Sequence, residues 1–316
     1  MNGAKSFRAI SNPPLAIASV ALLVLIVTGF VMSERFGTFR NFTNLLEQAA
    51  PLGVLALGQM LVVLAGGIDL SIGAIVTACA VAVAALCDLY PELAPLILVG
   101  TMFLGAALGA INGVIINRTG VHPLIVTLGT SSAISGVVLL YTMRPVGGVP
   151  IWLEDAAYGA TLGLPNVAII MILAFALVGL ALRKTATGHA LYAVGGNASA
   201  ATAVGLSVSR LTLLAYSASG FFAALAGIYF ASRTGTGDPR VGDAMTLASI
   251  TPVVVGGTVL GGGVGTAMGT FVGVALVSVL GNVLNYMNVS TFAQWVVQGI
   301  VILAAVSIYV DRSRKL

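Results

Sequence analysis

The sequence is short of charge. Only 8% of its 316 residues are Asp, Glu, Lys or Arg, against about a quarter in a soluble domain. That deficit excludes an ordinary water-soluble globular protein. Lysine is scarcer still: Lys5, Lys184 and Lys315 are the three present, and none follows a glycine. The chain therefore has no GxxxxGK[ST] phosphate loop, and any ATP dependence must come from another chain. The two cysteines, Cys79 and Cys87, fall in one expected helix. At ~1.5 Å rise per residue they stand about 12 Å apart, too far for a disulfide, and they read as packing residues. The two histidines, His122 and His189, are remote from each other, and no cluster has metal-ligand spacing. There is no nucleophile–base pair and no carboxylate pair at catalytic spacing. An enzyme reading has nothing to rest on, and no catalytic residue, metal or cofactor is expected. The net charge of +4 is not a nucleic-acid signal, because the basic residues sit at the ends of apolar runs.

What remains is apolar and small. Hydrophobic residues make up 58% of the chain and there are 39 glycines. Backbone in lipid must satisfy its own hydrogen bonds, so blocks of about twenty apolar residues imply an all-α, polytopic membrane protein. A membrane β-barrel would alternate over about ten residues instead. The glycines suit close helix packing in lipid. The pattern predicts about ten spans in one transmembrane domain covering 1–316: 13–32, 46–65, 70–86, 96–116, 124–141, 167–182, 211–231, 247–259, 267–284 and 292–310. The glycine-interrupted ones read as candidates for short or re-entrant helices. The first run is too long for a signal peptide and lacks a small-residue cleavage site, so it reads as a retained span.

Lys and Arg set the orientation. With the N-terminus inside, nine fall on cytoplasmic segments (Lys5, Arg8, Arg118, Arg183, Lys184, Arg210, Arg312, Arg314, Lys315) and five outside (Arg35, Arg40, Arg144, Arg233, Arg240). Both termini are then expected in the cytoplasm. So is the longest polar interval, 183–210, rich in Gly, Ala, Ser and Thr. Within it ASAATAV (198–204) reads as a short helix, Gly195-Gly196-Asn197 as a turn with Asn197 as N-cap, and Gly205 as the stop. Such an element on the basic face suits the docking of a partner; the alternative is an ordinary polar loop.

Two glycine breaks carry the rest. In GQMLVVLAGGIDLSIGA (58–74), Asp69 is the acidic residue placed well inside an apolar block. An intramembrane carboxylate marks either a polar pathway or a structural hydrogen-bond hub. Gly66, Gly67, Ser71 and Gly73 suit a broken helix whose second half Asp69 caps, and Gln59 is a further pore-lining candidate. In VVVGGTVLGGGVGTAMGT (253–270) the order apolar run, Gly-Gly, polar residue, Leu recurs. Paired glycine-interrupted segments point to a translocation path, here through Gly256, Gly257 and Thr258. Asn112, Asn117, Asn282, Asn285 and Gln294 read as interhelical hydrogen-bond contacts. Trp152, Trp295 and Tyr286 read as interfacial or packing residues.

Taken together, these segments resemble the permease subunits of bacterial ribose-type sugar ABC importers, within the wider branched-chain amino acid/ribose permease superfamily. The GQ…GGIDLS segment, the loop T-x-x-G-x-x-x-x-A-V-G-G-N-x-x-A-A-x-x-x-G-L (185–206), VVVGGTVLGGGVGTAMGTFVGVAL and VVQGIVILAAV (296–306) stand in the family's order over nearly the whole chain. The resemblance implies a multi-pass protein of the bacterial inner membrane. It implies three kinds of partner: a cytoplasmic ATP-binding subunit, a periplasmic sugar-binding protein, and a second permease copy or paralogue. It places the ATPase-coupling loop over Gly188, His189, Gly195, Gly196, Asn197, Ala200 and Gly205, and makes a monosaccharide the expected solute. Two departures stand out. His189 occupies a position where many relatives have Arg, and 245–252 (MTLASITP) replaces an acidic stretch common before the second Gly-Gly, which leaves the sugar open. The rival readings are the same machine for another solute (branched-chain amino acid, nucleoside, signalling sugar), an ion-coupled secondary transporter around Asp69, and a membrane receptor.

Overall fold

The computed structural model describes residues 13–313, with side chains described for 15–301 and 303. The basic residues Lys5, Arg8, Arg314 and Lys315 lie outside the described residues, and so do the side chains that close the VVQGIVILAAV segment and that of Arg312. Among the described residues the chain is helical apart from a two-residue hairpin, β1 (Ala160–Thr161) with β2 (Leu164–Pro165). Eight helices are long and apolar enough to cross a membrane. They are α1 (Pro13–Met32), α2 (Phe39–Leu64), α3 (Ile72–Leu89), α4 (Ala94–Thr119, entered through a 3₁₀ turn), α5 (Pro123–Tyr141), α7 (Asn166–Lys184), α10 (Val208–Thr234) and α12 (Ala267–Tyr286). The shorter pieces are α6 (Ile151–Tyr158), α8 (Ala186–Gly196), α9 (Ala198–Ala203) and α11 (Met245–Val255), and α13 (Thr291–Ser313) closes the described chain. Each of the ten expected spans corresponds to a helix.

Three differences from the sequence expectations have identifiable causes. Helix α2 starts at Phe39, within a stretch expected to be a polar connection. Thr38 caps it by accepting from the Asn41 N–H at 3.3 Å. The Asn41 amide then trades hydrogen bonds with Asn282 on α12 at 3.2 and 3.0 Å, which makes that polar turn part of the packed core. Helix α11 stops at Val255 rather than Val259. At eleven residues it is about 16 Å long, roughly half of a ~30 Å hydrocarbon core. The third difference lies in 183–210, which is two helices. Gly195 and Gly196 form the last turn of α8, where a turn between helices was expected. The tolerance for glycine there is tertiary and is described below.

Helices α2, α3 and α10 form the centre, while α1, α4, α5 and α7 turn apolar side chains outward, as lipid-facing helices must. Helices α4 and α10 touch along Gly105, Gly109 and Gly113. A Cβ on Gly113 would stand 2.9 Å from the Leu213 Cα, so the close approach requires glycine. Scattered amides join the helices as expected: Asn117 to the Ser209 carbonyl (2.8 Å) and Gln294 to Asn285 (2.7 Å). Cys79 and Cys87 are free and buried on α3. Trp152 and Trp295 are about half exposed, and Tyr286 packs edge-on to Phe36.

Candidate functional site

The first glycine break begins where α2 ends. Gly66, at φ +86°, takes the left-handed conformation that an L side chain resists, and the Gly66 and Gly67 N–H groups donate back to Val63 (2.9 Å) and Val62 (3.0 Å). This 5→2 and 6→1 pair is a Schellman stop. A side chain on Gly67 would collide with the buried Tyr216 hydroxyl. The chain then crosses to α3 through Ile68, Asp69, Leu70 and Ser71, all within the protein interior.

Asp69 is fully buried and its carboxylate is fully engaged. One oxygen accepts from the Ser71 N–H (2.9 Å) and Ser71 hydroxyl (2.6 Å), and the other accepts from Ser219 on α10 (2.8 Å). Ser71 in turn accepts from the Asn112 amide of α4 (2.7 Å), whose oxygen accepts from Thr130 of α5 (2.6 Å). The Ile68 carbonyl accepts from Thr127 (3.2 Å) and from Tyr216 (3.3 Å). Gln59, fully buried on α2, turns its nitrogen to the Asp69 carbonyl (3.0 Å) and its oxygen to the Asp69 N–H (3.2 Å). Five elements thus meet on one turn of backbone. Asp69 does not occupy the N-cap position of α3, which belongs to Ser71; it holds the residue that does.

The second break is built otherwise. Helix α11 ends in the same stop, with Gly257 at φ +89° and bonds from Gly257 to Val254 (2.9 Å) and from Thr258 to Val253 (3.0 Å). After it, Val259 to Val264 forms a tight loop closed by the Val259 N–H on the Val264 carbonyl (2.9 Å). Among the described residues no side-chain carboxylate or amide bonds to this segment. The Thr258 hydroxyl, and that of Thr270 on α12, are buried without a hydrogen-bond partner among the described residues.

The α8–α9 segment is tied to both breaks. Thr185 caps α8 by accepting from Gly188 (3.0 Å), Asn197 caps α9 by accepting from Ala200 (2.9 Å), and Gly205 (φ +85°) ends α9 in a third Schellman stop. His189 and Ala200 face outward, while Gly188 lies buried against α7. At the end of α8, Gly195 rests on the Leu64 carbonyl, the last of α2. That same carbonyl accepts from the Gly263 N–H at 3.0 Å. A Cβ on Gly262 would come 2.7 Å from the Gly195 oxygen and 2.8 Å from the Gly66 Cα. Tyr192 adds a bond from its hydroxyl to the Gly265 carbonyl (2.9 Å). Burial pushes this phenol above its usual pKa, Arg183 opposing, and it stays protonated as a donor. Backbone from α2, α8 and the loop after α11 therefore meets at one junction that side chains would prevent.

Of the residues expected from sequence, Gln59, Asp69 and Ser71 share one cluster and Gly66, Gly195, Gly262 and Gly263 the adjoining one, whereas Gly256 packs on Gly269 of α12. Sequence reasoning missed Tyr216, Ser219, Thr127 and Thr130. The available signal for the first two was the polar run Tyr216–Ser219 in the middle of an apolar span.

Comparison with known proteins agrees with this architecture. The family model described as "Branched-chain amino acid transport system / permease component" matches residues 41–306. The chain is 39% identical to the ribose import permease protein RbsC of Bacillus subtilis, over 94% of this chain and 92% of that protein. It is 35% identical to the ribose import permease protein RbsC of Escherichia coli K12, over 91% of each. With the D-allose transport system permease protein AlsC of Escherichia coli K12 it shares 31% over 92% of this chain and 89% of that protein. No solved structure matches. A match that runs from the first turn of α2 into α13 and includes both glycine breaks and the α8–α9 segment places the chain in the branched-chain amino acid transport system permease family.

Proposed function

We propose that the chain is the membrane permease subunit of an ATP-driven importer for a monosaccharide, with hydrolysis carried out by a separate cytoplasmic ATP-binding subunit. The observation that carries this reading is the glycine junction. A displacement of α8–α9 by a docked partner reaches both breaks by backbone contact, through Leu64 to Gly66 and through Gly262 and Gly263 to the loop after α11. In this reading Gly188, His189, Gly195, Gly196, Asn197, Ala200 and Gly205 form the docking segment. The breaks at Gly66–Ser71 and Gly256–Thr258 flank the translocation path, and Gln59 and Asp69 hold the first of them in shape. Ring-shaped solutes are favoured over amino acids because the relatives named for ribose and D-allose cover almost the whole chain.

The partners are the ATP-binding subunit, a periplasmic sugar-binding protein, and a second permease copy or paralogue. The chain sits in the cytoplasmic membrane with both termini inside, the side that the Lys/Arg distribution assigns to α8–α9. The test is capture of an ATP-binding subunit from membranes by the tagged chain. We expect it with wild type and not with a Gly196→Pro, Asn197→Ala variant of equal expression. Absence of any ATP-binding subunit from the wild-type complex in mild detergent would overturn the coupling reading. ATP-independent, proton-dependent uptake in vesicles would put the ion-coupled mechanism in its place.

A further inference from the structure

A cleft of about 550 Å³, with an apolar wall that carries a few polar groups, opens between residues 44–52 of α2, the last turns of α10 and the start of α11. Its place in the fold follows from helix length. Glu47 in the cleft and Leu64 at the glycine junction lie seventeen residues apart on α2, about 26 Å at ~1.5 Å per residue. The cleft and the coupling segment therefore stand near opposite faces of the membrane. The three helices that form the cleft are also connected to the breaks: α2 runs from it to Gly66, α11 runs from it to Gly256, and α10 carries Ser219, the Asp69 partner.

The lining combines rigid charge with free amides and rings. The Arg233 guanidinium is held at 3.0 Å from Glu47 and 3.9 Å over the Tyr158 ring, whose hydroxyl donates to the Arg233 carbonyl at 2.8 Å. One of its terminal nitrogens, Nη1, is buried without an acceptor among the described residues. Asn44 and Gln48 present side-chain amides with no partner in the described chain. Tyr229 and Phe230 supply adjacent rings, their centroids 5.8 Å apart. The volume falls in the range of ligand pockets, and donors, acceptors and aromatic faces are present together.

We infer that this cleft is an entry subsite for a neutral polyhydroxylated solute of monosaccharide size. Each sugar hydroxyl both donates and accepts, which suits an amide pair and a carboxylate–guanidinium pair, and its C–H face suits an aromatic ring. A zwitterionic amino acid fits less well, because Arg233 and Glu47 already neutralise each other and its ammonium and carboxylate would both lose their hydration. The inference rests on the monosaccharide reading above.

The test is saturation-transfer NMR of D-ribose with the full-length chain in phosphatidylethanolamine/phosphatidylglycerol nanodiscs, beside labelled D-ribose uptake by cells expressing the whole transporter. Expected is transfer to ribose protons in wild type and in Leu140→Ala on the lipid face. It should fall about five-fold in Gln48→Leu and in Tyr229→Ala, the loss that one hydrogen bond or ring contact supports. L-leucine should give none. Gln48 is exposed, so its variant tests the cleft even if Tyr229→Ala fails to fold. No transfer in wild type, equal transfer to leucine, or transfer unchanged in the Gln48 variant overturns the inference; if uptake persists alongside, the transport reading stands. Absence of monosaccharide uptake by the intact transporter overturns that reading, and the inference with it.

Discussion

The two glycine breaks look alike in sequence and are held in different ways. Both end a helix with a Schellman stop, but the left-handed residue is the first glycine of one pair, Gly66, and the second of the other, Gly257. The sequence echo is thus one residue out of register, and Asp69 and Thr258 are not equivalent positions. After Gly66 the chain is fixed by a hub of side chains from five elements around Asp69 and Ile68. After Gly257 it is fixed by backbone contact and the single Tyr192 hydroxyl bond, and two buried hydroxyls find no partner among the described residues. A hub of charge-assisted bonds resists displacement, whereas a backbone-on-backbone contact beside unpaired hydroxyls holds less strongly. The second break is accordingly the softer one, and it is the one that Tyr192 and Gly195 of α8 touch over the greater length.

The largest expected effect comes from removing the contact that links the two regions. In Gly195→Val the new side chain would overlap the Leu64 carbonyl, with no flexible group to yield, and folded protein should be lost from the membrane. Size-exclusion yield in mild detergent measures this, and a wild-type elution profile would show that the junction is not tightly closed. Next, Asp69→Ala strands the Ser71 and Ser219 donors in the interior and should lower stability by roughly 3 kcal/mol, read as the shift in thermal unfolding. The opposite sign is expected at the second break. Thr258→Val replaces an unpaired buried hydroxyl with a methyl of the same shape and should raise stability by about 1 kcal/mol. Equal losses in these two variants would erase the distinction between the breaks. The smallest effect is Gly66→Ala, where a Cβ has room, its nearest neighbour being 3.9 Å away. The left-handed backbone then costs about 1 kcal/mol and uptake persists at reduced rate.

Much of this was legible because the signals are local. Apolar runs of membrane length depend on the residues themselves, and each of the ten runs corresponds to a helix. The Asn197 cap and the Gly205 stop were also visible, since each requires one residue type at one position of a short helix. The turn expected at Gly195-Gly196 was not found, because those glycines serve a contact with Leu64 and Gly263 that no local pattern encodes. Likewise Phe39 to Asn44 read as a connection until Asn282, 241 residues from Asn41, supplied its amide partner.

By itself, then, the sequence determined a helical membrane protein with two interrupted helices, a long polar interval and one buried carboxylate. Those properties follow from hydropathy and from backbone preferences of single residues. Only the tertiary structure decided that the three glycine runs share one junction, that Asp69 is satisfied by Ser71 and Ser219, and that Arg233 meets Glu47 across 186 residues. Such pairings depend on which helices pack together, and packing between apolar helices is chosen by shape across the whole molecule rather than by neighbours in the chain.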